Sequence, residues 1–474
     1  MPNYRGSYLA SNLDIYNPET GTLEPLAPRY QKFTTKNQGI RILAFGFIFD
    51  FAGNANNTVI HSVKDTVQTE WFRDAIRDGE LDLIVVFGHV DIRSHEYATI
   101  FSAIRAVQSE IPVQFFGGHS HIRDYKIYDE RSVALESGRY METIGFMSIS
   151  GLPTSASKDR SIGLPSPPLT FSRLYIDNNL FSLHHHSGKD AKTYPTQLGS
   201  NVSTQIYTAR KTLQLDKRFG CAPRDLWVNR VPYPHPDSIF SWLEEQVLPN
   251  QVSHNRRVKE GHVVLVITNT GSIRFDIFKG PFTKDTTFLV SPFTSGLRYI
   301  KDVPYEAARH VLKLLNNEGP ITQKMNQYNS FLVPPEQVAR NLCSSWKYSP
   351  QLPEGNHHGF QNQIPLNNGM KLIPGYTTSD DIGDDGDDTI HSRINYYSVP
   401  NCIQAAVGMS NFAFERVDLA YNEFIEPWIL LALEYLGHAF TEGDTAPFLD
   451  GKPFTDIITD WVNEHWKSEE KMCS

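Results

Sequence analysis

Residues 81–91 read LDLIVVFGHVD, and residues 113–121 read VQFFGGHSH. In each segment an apolar run is followed at once by glycine and then by histidine. Short apolar runs of this kind are typical of strands buried on both faces of a sheet, and glycine lets the backbone turn and approach a ligand closely. The pattern therefore places His89, His119 and His121 at the carboxyl ends of strands, where open α/β sheets bind their ligands.

The surrounding sequence alternates between strand and helix patterns. Residues 41–49 form another apolar run, while residues 63–78 and 95–109 carry apolar side chains at helical spacing. This alternation predicts βαβ units and a layered α/β fold. Three later strands without intervening helices are predicted to form a second sheet of a sandwich: residues 132–136, 143–149 and 170–176.

The rest of the chain predicts a second domain. The length of 474 residues suggests two or three domains, and a helix at about 198–215 is expected to bridge to the second. We predict a strand at 262–268 and helices near 237–247, 304–316, 422–437 and 454–466. Residues 318–402 are rich in Gly, Pro, Asn and Asp and are expected to form long irregular connections. The acidic run at 380–388 is interpreted as a solvated or turn-forming loop, with a calcium loop as the alternative.

Composition excludes several classes of protein. A net charge of −9 does not neutralise a run of phosphates, so no nucleic-acid partner is expected. A net-negative protein that binds an anionic substrate must concentrate positive charge locally, through metal ions or a few arginines. The four cysteines show no CxxC spacing, which excludes a zinc ribbon and leaves one or two disulfides open.

Targeting signals are sparse. Residues 1–5 have no apolar core, so no signal peptide is predicted there. The apolar runs at 41–52 and 428–437 are too short to span a membrane. Glycosylation sequons at Asn56 and Asn201 matter only if the protein is secreted.

The histidines themselves suit a metal ion. The i, i+2 spacing of His119 and His121 in an extended loop directs both imidazoles the same way, as in chelating sites. Neutral imidazole is the commonest protein ligand for zinc and also suits manganese and iron. A lone Gly-His pair is more often an ordinary loop histidine, but two such turns after buried strands favour metal binding. The triplet His184-His185-His186 is interpreted instead as a surface histidine cluster.

Gly88-His89, followed by Gly118-His119-Ser120-His121, resembles the last two motifs of the calcineurin-like metallophosphoesterases. Residues 8–12 (YLASN), 135–145 (LESGRYMETIG) and 417–424 (VDLAYNEF) resemble a fungal 5′-nucleotidase-like branch of that family. The similarity therefore covers essentially the whole chain. It implies an α/β fold: the latter part of a four-layered metallophosphoesterase β-sandwich at about 1–200, then an α/β 5′-nucleotidase-type substrate-binding domain at about 215–474.

The resemblance also implies a chemistry. His89 and His119 would bind one ion of a divalent pair (zinc, manganese or iron), and His121 would bind the other. The two ions would activate a water to attack a nucleotide or a similar small phosphate ester. A secretory, vacuolar or extracellular location is implied as well.

The chain departs from the family at its start. The family carries three earlier motifs (Asp-x-His, Gly-Asp-x-x-Asp-Gly and Gly-Asn-His-Glu), all expected before Tyr8, where only seven residues stand. No catalytic residue is therefore identified, and Gly355-Asn356-His357-His358 is interpreted as a coincidental match. We expect at most one weakly bound ion and an inactive or impaired chain. A truncated gene model, a processed fragment and a degenerate paralogue remain open, and a non-catalytic nucleotide- or phosphate-binding paralogue is the alternative.

Residues of the second domain resemble the family's substrate loops. Asn269-Thr270-Gly271-Ser272-Ile273-Arg274 matches an Asn-x-Gly-x-x-Arg loop, and Phe293 follows Pro292 where the family stacks an aromatic ring on the base. By the resemblance, Asn269, Arg274 and Phe293 would bind substrate, as would Arg139. The alternatives are a strand-end cap for Asn269 and a core aromatic for Phe293. Residues 386–389 (GDDT) replace a Gly-Asp-Gly-aromatic motif, so the second wall of the base clamp is not expected.

Overall fold

The computed structural model describes residues 6–51, 54–152, 168–317, 319–327, 332–338, 372–373, 396–409, 415–466 and 473. The described residues up to Tyr194 form one compact unit, and those from Pro195 onward form another. The acidic run at 380–388 and the segments 355–358 and 386–389, singled out above, lie outside the described residues.

The first unit contains eleven strands among its described residues. They are β1 (Leu13–Tyr16), β2 (Leu23–Pro25), β3 (Tyr30–Thr34), β4 (Arg41–Ile48), β5 (Thr58–Ile60), β6 (Leu83–His89), β7 (Val113–Gly117), β8 (Arg123–Asp129), β9 (Ser132–Ser137), β10 (Thr143–Ser150) and β11 (Thr170–Asp177). Six of them form one sheet in the order β3-β4-β6-β7-β9-β8. The central pairs β4–β6, β6–β7 and β7–β9 are parallel, and the two outer pairs are antiparallel.

The described helices of this unit are α1 (Val63–Thr66), α2 (Glu70–Ile76), α3 (His95–Arg105) and α4 (Leu180–Ser187). The first three contribute to the apolar core of the main sheet, whereas α4 packs against β11. The helix predicted at 63–78 is thus two helices, and α2 begins after Thr69, which adopts an extended N-cap conformation. Ser94 caps the start of helix α3, where its hydroxyl accepts the Tyr97 N–H, and the helix buries Tyr97, Ile100 and Ile104 completely.

The prediction that residues 132–136 belong to a second sheet is wrong. Strand β9 lies inside the main sheet, parallel to β7, and Val133, Ala134 and Leu135 are all buried. No crossover helix is needed because β8 runs antiparallel at the edge of the sheet and returns the chain. The other two predicted strands, β10 and β11, pair only with each other. The triplet His184-His185-His186 lies in helix α4 after β11 has ended, not at a strand end.

The second unit is built on a five-stranded sheet. The described strands of the whole unit are β12 (Arg218–Ala222), β13 (Val264–Asn269), β14 (Gly280–Thr283), β15 (Gly296–Pro304), β16 (Cys402–Val407), β17 (Arg416–Asn422) and β18 (Thr445–Pro453), besides a two-residue pair at 372–373 and 396–397. The sheet has the order β16-β13-β17-β15-β18, and β13 and β17 are parallel. Strands β12 and β14 pair separately.

Alternation along β13 shows that both faces of this sheet are covered. Val264 and Val266 belong to one apolar core, whereas Leu265 and Ile267 belong to another. The helices are α5 (Gln197–Thr212), α6 (Ile239–Trp242), α7 (Leu248–Ser253), α8 (Arg256–Lys259), α9 (Lys284–Val290), α10 (Tyr305–Asn316), α11 (Pro320–Gln327), α12 (Glu426–Tyr435) and α13 (Phe454–His465). A π-helical turn at Leu243–Val247 joins α6 to α7. Helix α5, predicted as a bridge, belongs to the second unit and buries none of its residues.

A disulfide joins Cys221 on β12 to Cys473, and Cys402 is a buried free thiol. The fourth cysteine, Cys343, lies outside the described residues. Within the described ranges, no helix is both long and apolar enough to cross a bilayer.

Candidate metal centre

Strand register brings the predicted histidine turns to one edge of the first unit's sheet. Ile48, the last residue of β4, pairs with His89, the last residue of β6. The next backbone bonds continue this alignment: the Phe49 N–H donates to the His89 carbonyl (3.2 Å), and the Gly118 N–H donates to the Val90 carbonyl (3.0 Å). The carboxyl ends of β4, β6 and β7 therefore meet at this edge, as the sequence predicts.

The glycines at these strand ends are required by close approach. A Cβ atom on Gly88 would lie 1.9 Å from the Phe47 carbonyl oxygen, and one on Gly117 would lie 2.3 Å from the Ile92 side chain. Neither glycine has a left-handed φ. These two glycines are thus required by close approach to neighbouring protein atoms, and the left-handed positions of the turn after β7 are His119 and His121. The predicted close approach to a ligand stays a prediction.

His89 and His119 meet at the edge. His119 Nδ1 lies 3.1 Å from His89 Nε2, and the two rings are nearly perpendicular, with centroids 4.9 Å apart. Two nitrogens bound to one tetrahedral zinc at about 2.0–2.1 Å would lie about 3.3 Å apart. The observed separation therefore fits two ligands of one cation, and it also suits a hydrogen bond between the imidazoles. His89 is exposed and His119 is half-buried, so the pair is open to solvent.

Phe49 holds the pair from one side. Its ring stacks on His119 with centroids 4.2 Å apart and an angle of 27°, and it lies 5.8 Å from the ring of His89. Sequence reasoning missed this residue. The available signal was its position at the end of the apolar run 41–49, directly after β4, whose last residue pairs with His89.

His121 faces a different neighbourhood. It is half-buried, and its ring lies 6.4 Å from that of Tyr140. The three histidines do not offer three nitrogens within 4.8 Å of one another. The structure thus brings His89 and His119 together and leaves His121 outside that pair.

Two buried carboxyl groups lie behind these turns, and the sequence analysis missed both. Asp91 accepts the Arg93 N–H at 2.6 Å, and burial raises its pKa to about 6. Glu136 on β9 is 1% exposed. Burial, followed by the charge of Asp91, raises the pKa of Glu136 well above its usual range.

A further ligand group lies beyond β4. Asp50, His95 and Glu96 offer ligand atoms within 4.8 Å of one another. Asp50 accepts the Val63 N–H at the start of α1 (2.8 Å), and its own N–H donates to Glu96 (3.3 Å). These two hydrogen bonds explain why the three side chains lie close together without a metal ion: Asp50 binds the start of α1 and the Glu96 side chain. In the second unit, the corresponding group of His262, Asp302 and Asp418 is bridged by Arg257, which explains it as an ion-pair network.

The predicted substrate loop follows β13. Asn269 is 4% exposed, and its amide donates to the Leu332 carbonyl (3.3 Å). Its oxygen is buried without a hydrogen-bond partner in the part of the chain that the structure describes. The Arg274 guanidinium lies 4.9 Å from the ring centroid of Phe293. Phe293 is half-buried and belongs to neither apolar core of this unit, so it is not the core aromatic that was the alternative. Its role towards a ligand stays a prediction.

Arg139 belongs to the first unit. It is 9% exposed, its guanidinium lies 5.3 Å from the Tyr140 ring, and its N–H donates to Glu142 (3.1 Å). The loop around it is tight, since Gly138, Tyr140 and Met141 all have left-handed φ values.

Comparison with known proteins decides the family. The chain is 34% identical to the 5′-nucleotidase of Candida albicans in a crystal structure, with a TM-score of 0.78 over 98% of this chain and 78% of that one. The chain belongs to the 5′-nucleotidase family. This membership confirms the predicted resemblance to calcineurin-like metallophosphoesterases and the α/β fold.

The chain is also similar to other proteins over most of its length. The chain is 32% identical to a protein of Arthroderma benhamiae described as a secreted protein, over 99% of this chain and 75% of that protein. It is 34% identical to an uncharacterized protein of Schizosaccharomyces pombe, over 91% of this chain and 68% of that protein. A 5′-nucleotidase precursor from Thermus thermophilus shares the fold at 14% identity and a TM-score of 0.52, over 97% of this chain and 76% of that one.

The family model "NAD nucleotidase, C-terminal domain" matches residues 225–430. That range contains Asn269, Arg274 and Phe293, the three second-unit residues that sequence reasoning selected. The three candidate substrate residues therefore lie inside the matched range, and the histidine pair lies outside it.

Proposed function

We propose that this chain supplies the metal-binding histidines and the substrate loop of a metal-dependent phosphomonoester hydrolase acting on a nucleotide or a similar small phosphate ester. The observation that carries the proposal is the meeting of His89 and His119 at 3.1 Å on the carboxyl edge of parallel strands. Membership of the 5′-nucleotidase family supports the reaction class. Residues 1–200 would hold the metal, and residues 215–474 would hold the substrate.

The histidines would share the metal ligation unequally. In the two-ion site of the family, His89 and His119 would hold one zinc, manganese or iron ion and His121 would be a ligand of the second, whereas this chain is expected to hold at most one ion. When bound, two such metal ions supply an activated water and a Lewis acid for the phosphate. The packing of Phe49 against His119 would keep that imidazole oriented before an ion arrives.

The second unit would recognise the nucleotide. Arg274 presents a planar guanidinium, which suits phosphate oxygens, and Phe293 presents a ring on which a base can stack. The buried amide oxygen of Asn269, which accepts no hydrogen bond from the described residues, would accept one from the substrate. Arg139, a residue of the first unit, would bind an anionic group of the substrate.

Titration of the purified chain tests the proposal. We expect about one Zn²⁺ or Mn²⁺ to bind weakly, because the three histidines do not form a three-ligand group. For the same reason we expect no metal-stimulated release of phosphate from a nucleoside monophosphate by the 474-residue chain. Isothermal titration and a phosphate assay measure both. Robust turnover by this chain would show that its ligand set is sufficient, and absence of metal binding would reject the metal centre.

A non-catalytic, nucleotide-binding role is the second candidate, and the contact between Arg274 and Phe293 favours it because that contact needs no metal. We expect Phe293→Leu to weaken binding of a nucleoside monophosphate about tenfold or more in the presence of EDTA, since base stacking contributes about 1–3 kcal/mol. Phe278→Leu is the matched control, because Phe278 is an exposed ring of the same unit. Equal effects of the two substitutions would remove Phe293 from the site.

We also propose a secretory, vacuolar or extracellular location. The disulfide between Cys221 and Cys473 suits an oxidising compartment, and the Arthroderma benhamiae relative is described as secreted. Both sequon asparagines, Asn56 and Asn201, are exposed.

Expression through a secretory pathway is therefore expected to place a glycan on Asn201, which lies on helix α5. Endoglycosidase treatment should increase the gel mobility of the protein, and Ser203→Ala should abolish the part of the shift that is due to this site. Ser200→Ala, outside the sequon, should leave it unchanged. A Ser203→Ala protein with the full shift would contradict the assignment.

A further inference from the structure

The turn between the two histidines of the second motif is anchored at a single residue. Ser120 is 2% exposed. Its N–H donates to Glu136 Oε1 at 3.0 Å, and its hydroxyl donates to the same oxygen. Ser120 lies between His119 and His121 in the sequence. Its two donors therefore hold the middle of the turn against one buried carboxyl oxygen.

Glu136, the acceptor of both hydrogen bonds, lies in a rigid part of the sheet. It lies on β9, where it pairs with Gly117, the last residue of β7, and it is 1% exposed. A side chain that is held by a central parallel strand has little freedom to move. The anchor therefore ties the turn after β7 to the neighbouring strand rather than to a mobile loop.

The turn needs such an anchor because its backbone is costly. His119 has a φ of 81° and His121 has a φ of 62°. Left-handed conformations are disfavoured for residues with a Cβ atom, and they persist only where surrounding contacts hold them. Release of Ser120 would let the turn relax, and both imidazoles would then swing away from their present directions.

The buried carboxyl group itself needs an explanation. Glu136 Oε2 is buried and has no hydrogen-bond partner among the described residues. A polar group in such surroundings destabilises the fold unless its bonds compensate. The bonds that Glu136 does make both go to the turn that carries the histidines.

We propose that Ser120 and Glu136 form the positioning pair of the metal centre, which fixes the directions of His119 and His121 for ligation. This inference rests on the proposed function, because it assigns the pair a purpose only if those histidines bind metal. Ser120 and Glu136 are positioning residues and do not themselves contact the ion.

Cobalt binding to the full chain tests the pair, with the visible absorption of bound Co²⁺ as the signal. We expect Glu136→Leu, which removes the acceptor of both bonds, to weaken Co²⁺ binding by about 10–100-fold, the usual effect of losing a group that orients a ligand. Ser120→Ala, which removes only the hydroxyl, should weaken it less. Ser120→Thr and Glu136→Gln keep a donor and an acceptor, and both should restore affinity to near that of the unaltered chain.

The melting temperature and the histidine NMR spectrum separate positioning from general damage. A structural defect would lower the melting temperature and move many signals, whereas loss of positioning should move the His119 and His121 ring signals in metal-free protein and leave exposed His185 unchanged. If Glu136→Leu fails to fold, the Co²⁺ affinities of Ser120→Ala and Ser120→Thr are compared instead, and the positioning role predicts weaker binding by Ser120→Ala. Unchanged affinity in Ser120→Ala and in any folded Glu136→Leu protein would overturn the positioning role while the metal centre stands. Absence of Co²⁺ binding by the unaltered chain would overturn the metal centre, and the positioning role with it.

Discussion

Replacement of His119 by alanine is expected to weaken Zn²⁺ binding to the chain by about 100-fold. Zinc sites with four protein ligands contribute about 10–16 kcal/mol, so one ligand contributes about 3 kcal/mol, which corresponds to a factor of about 100. His119 is the better of the paired ligands to remove, because its ring is already oriented by Phe49 and lies within 3.1 Å of His89. Competition with a chromogenic zinc chelator measures the change.

The matched control is His185→Ala. His185 is exposed on helix α4, belongs to the triplet interpreted as a surface cluster, and should leave the zinc affinity unaltered. If the two substitutions lowered the affinity equally, the bound zinc would be distributed over surface histidines. If His185→Ala alone lowered it, the metal would sit on α4, and the interpretation of both histidine groups would be reversed.

The second large effect is expected in the sheet that carries the site. Phe45→Ala should destabilise the first unit by about 3–5 kcal/mol, the usual cost of removing a buried phenylalanine side chain. Phe45 is fully buried on β4 and packs against Phe72 with ring centroids 5.0 Å apart. Hydrogen exchange of peptides from β4 and β6 reports this loss locally, and β13 of the second unit serves as the internal reference.

Phe33→Ala provides the comparison for that experiment. Phe33 lies on the adjacent strand β3, opposite Ile42 of β4, but its side chain is 46% exposed. Its removal should therefore change the free energy of unfolding by no more than about 0.5 kcal/mol. Equal acceleration of exchange by the two substitutions would mean that the sheet does not bury Phe45 as described.

The sequence alone predicted the part of the site that depends on local pattern. An apolar run followed by Gly-His places a histidine at a strand end, and parallel neighbours bring such ends together, so the meeting of His89 and His119 could be expected. The same logic identified β13 and the turn after it, where Asn269 ends the strand. Each of these inferences needs only the period of a strand and the direction of the chain.

Contacts that depend on register could not be predicted in this way. Glu136 reaches Ser120 because β9 lies beside β7, and the sequence had placed β9 in another sheet since no helix separates it from its neighbours. Phe49 reaches His119 because β4 and β6 end at the same level. Burial is equally hidden, because Asp91 and Glu136 look like ordinary loop and strand-end acids until the surrounding strands cover them.

Anomalous diffraction from crystals of the chain grown with Zn²⁺ tests the central claim most directly. The account predicts an anomalous peak at about 2.0–2.1 Å from both His119 Nδ1 and His89 Nε2. A zinc peak at another group of side chains, with no peak near these two imidazoles, would contradict it.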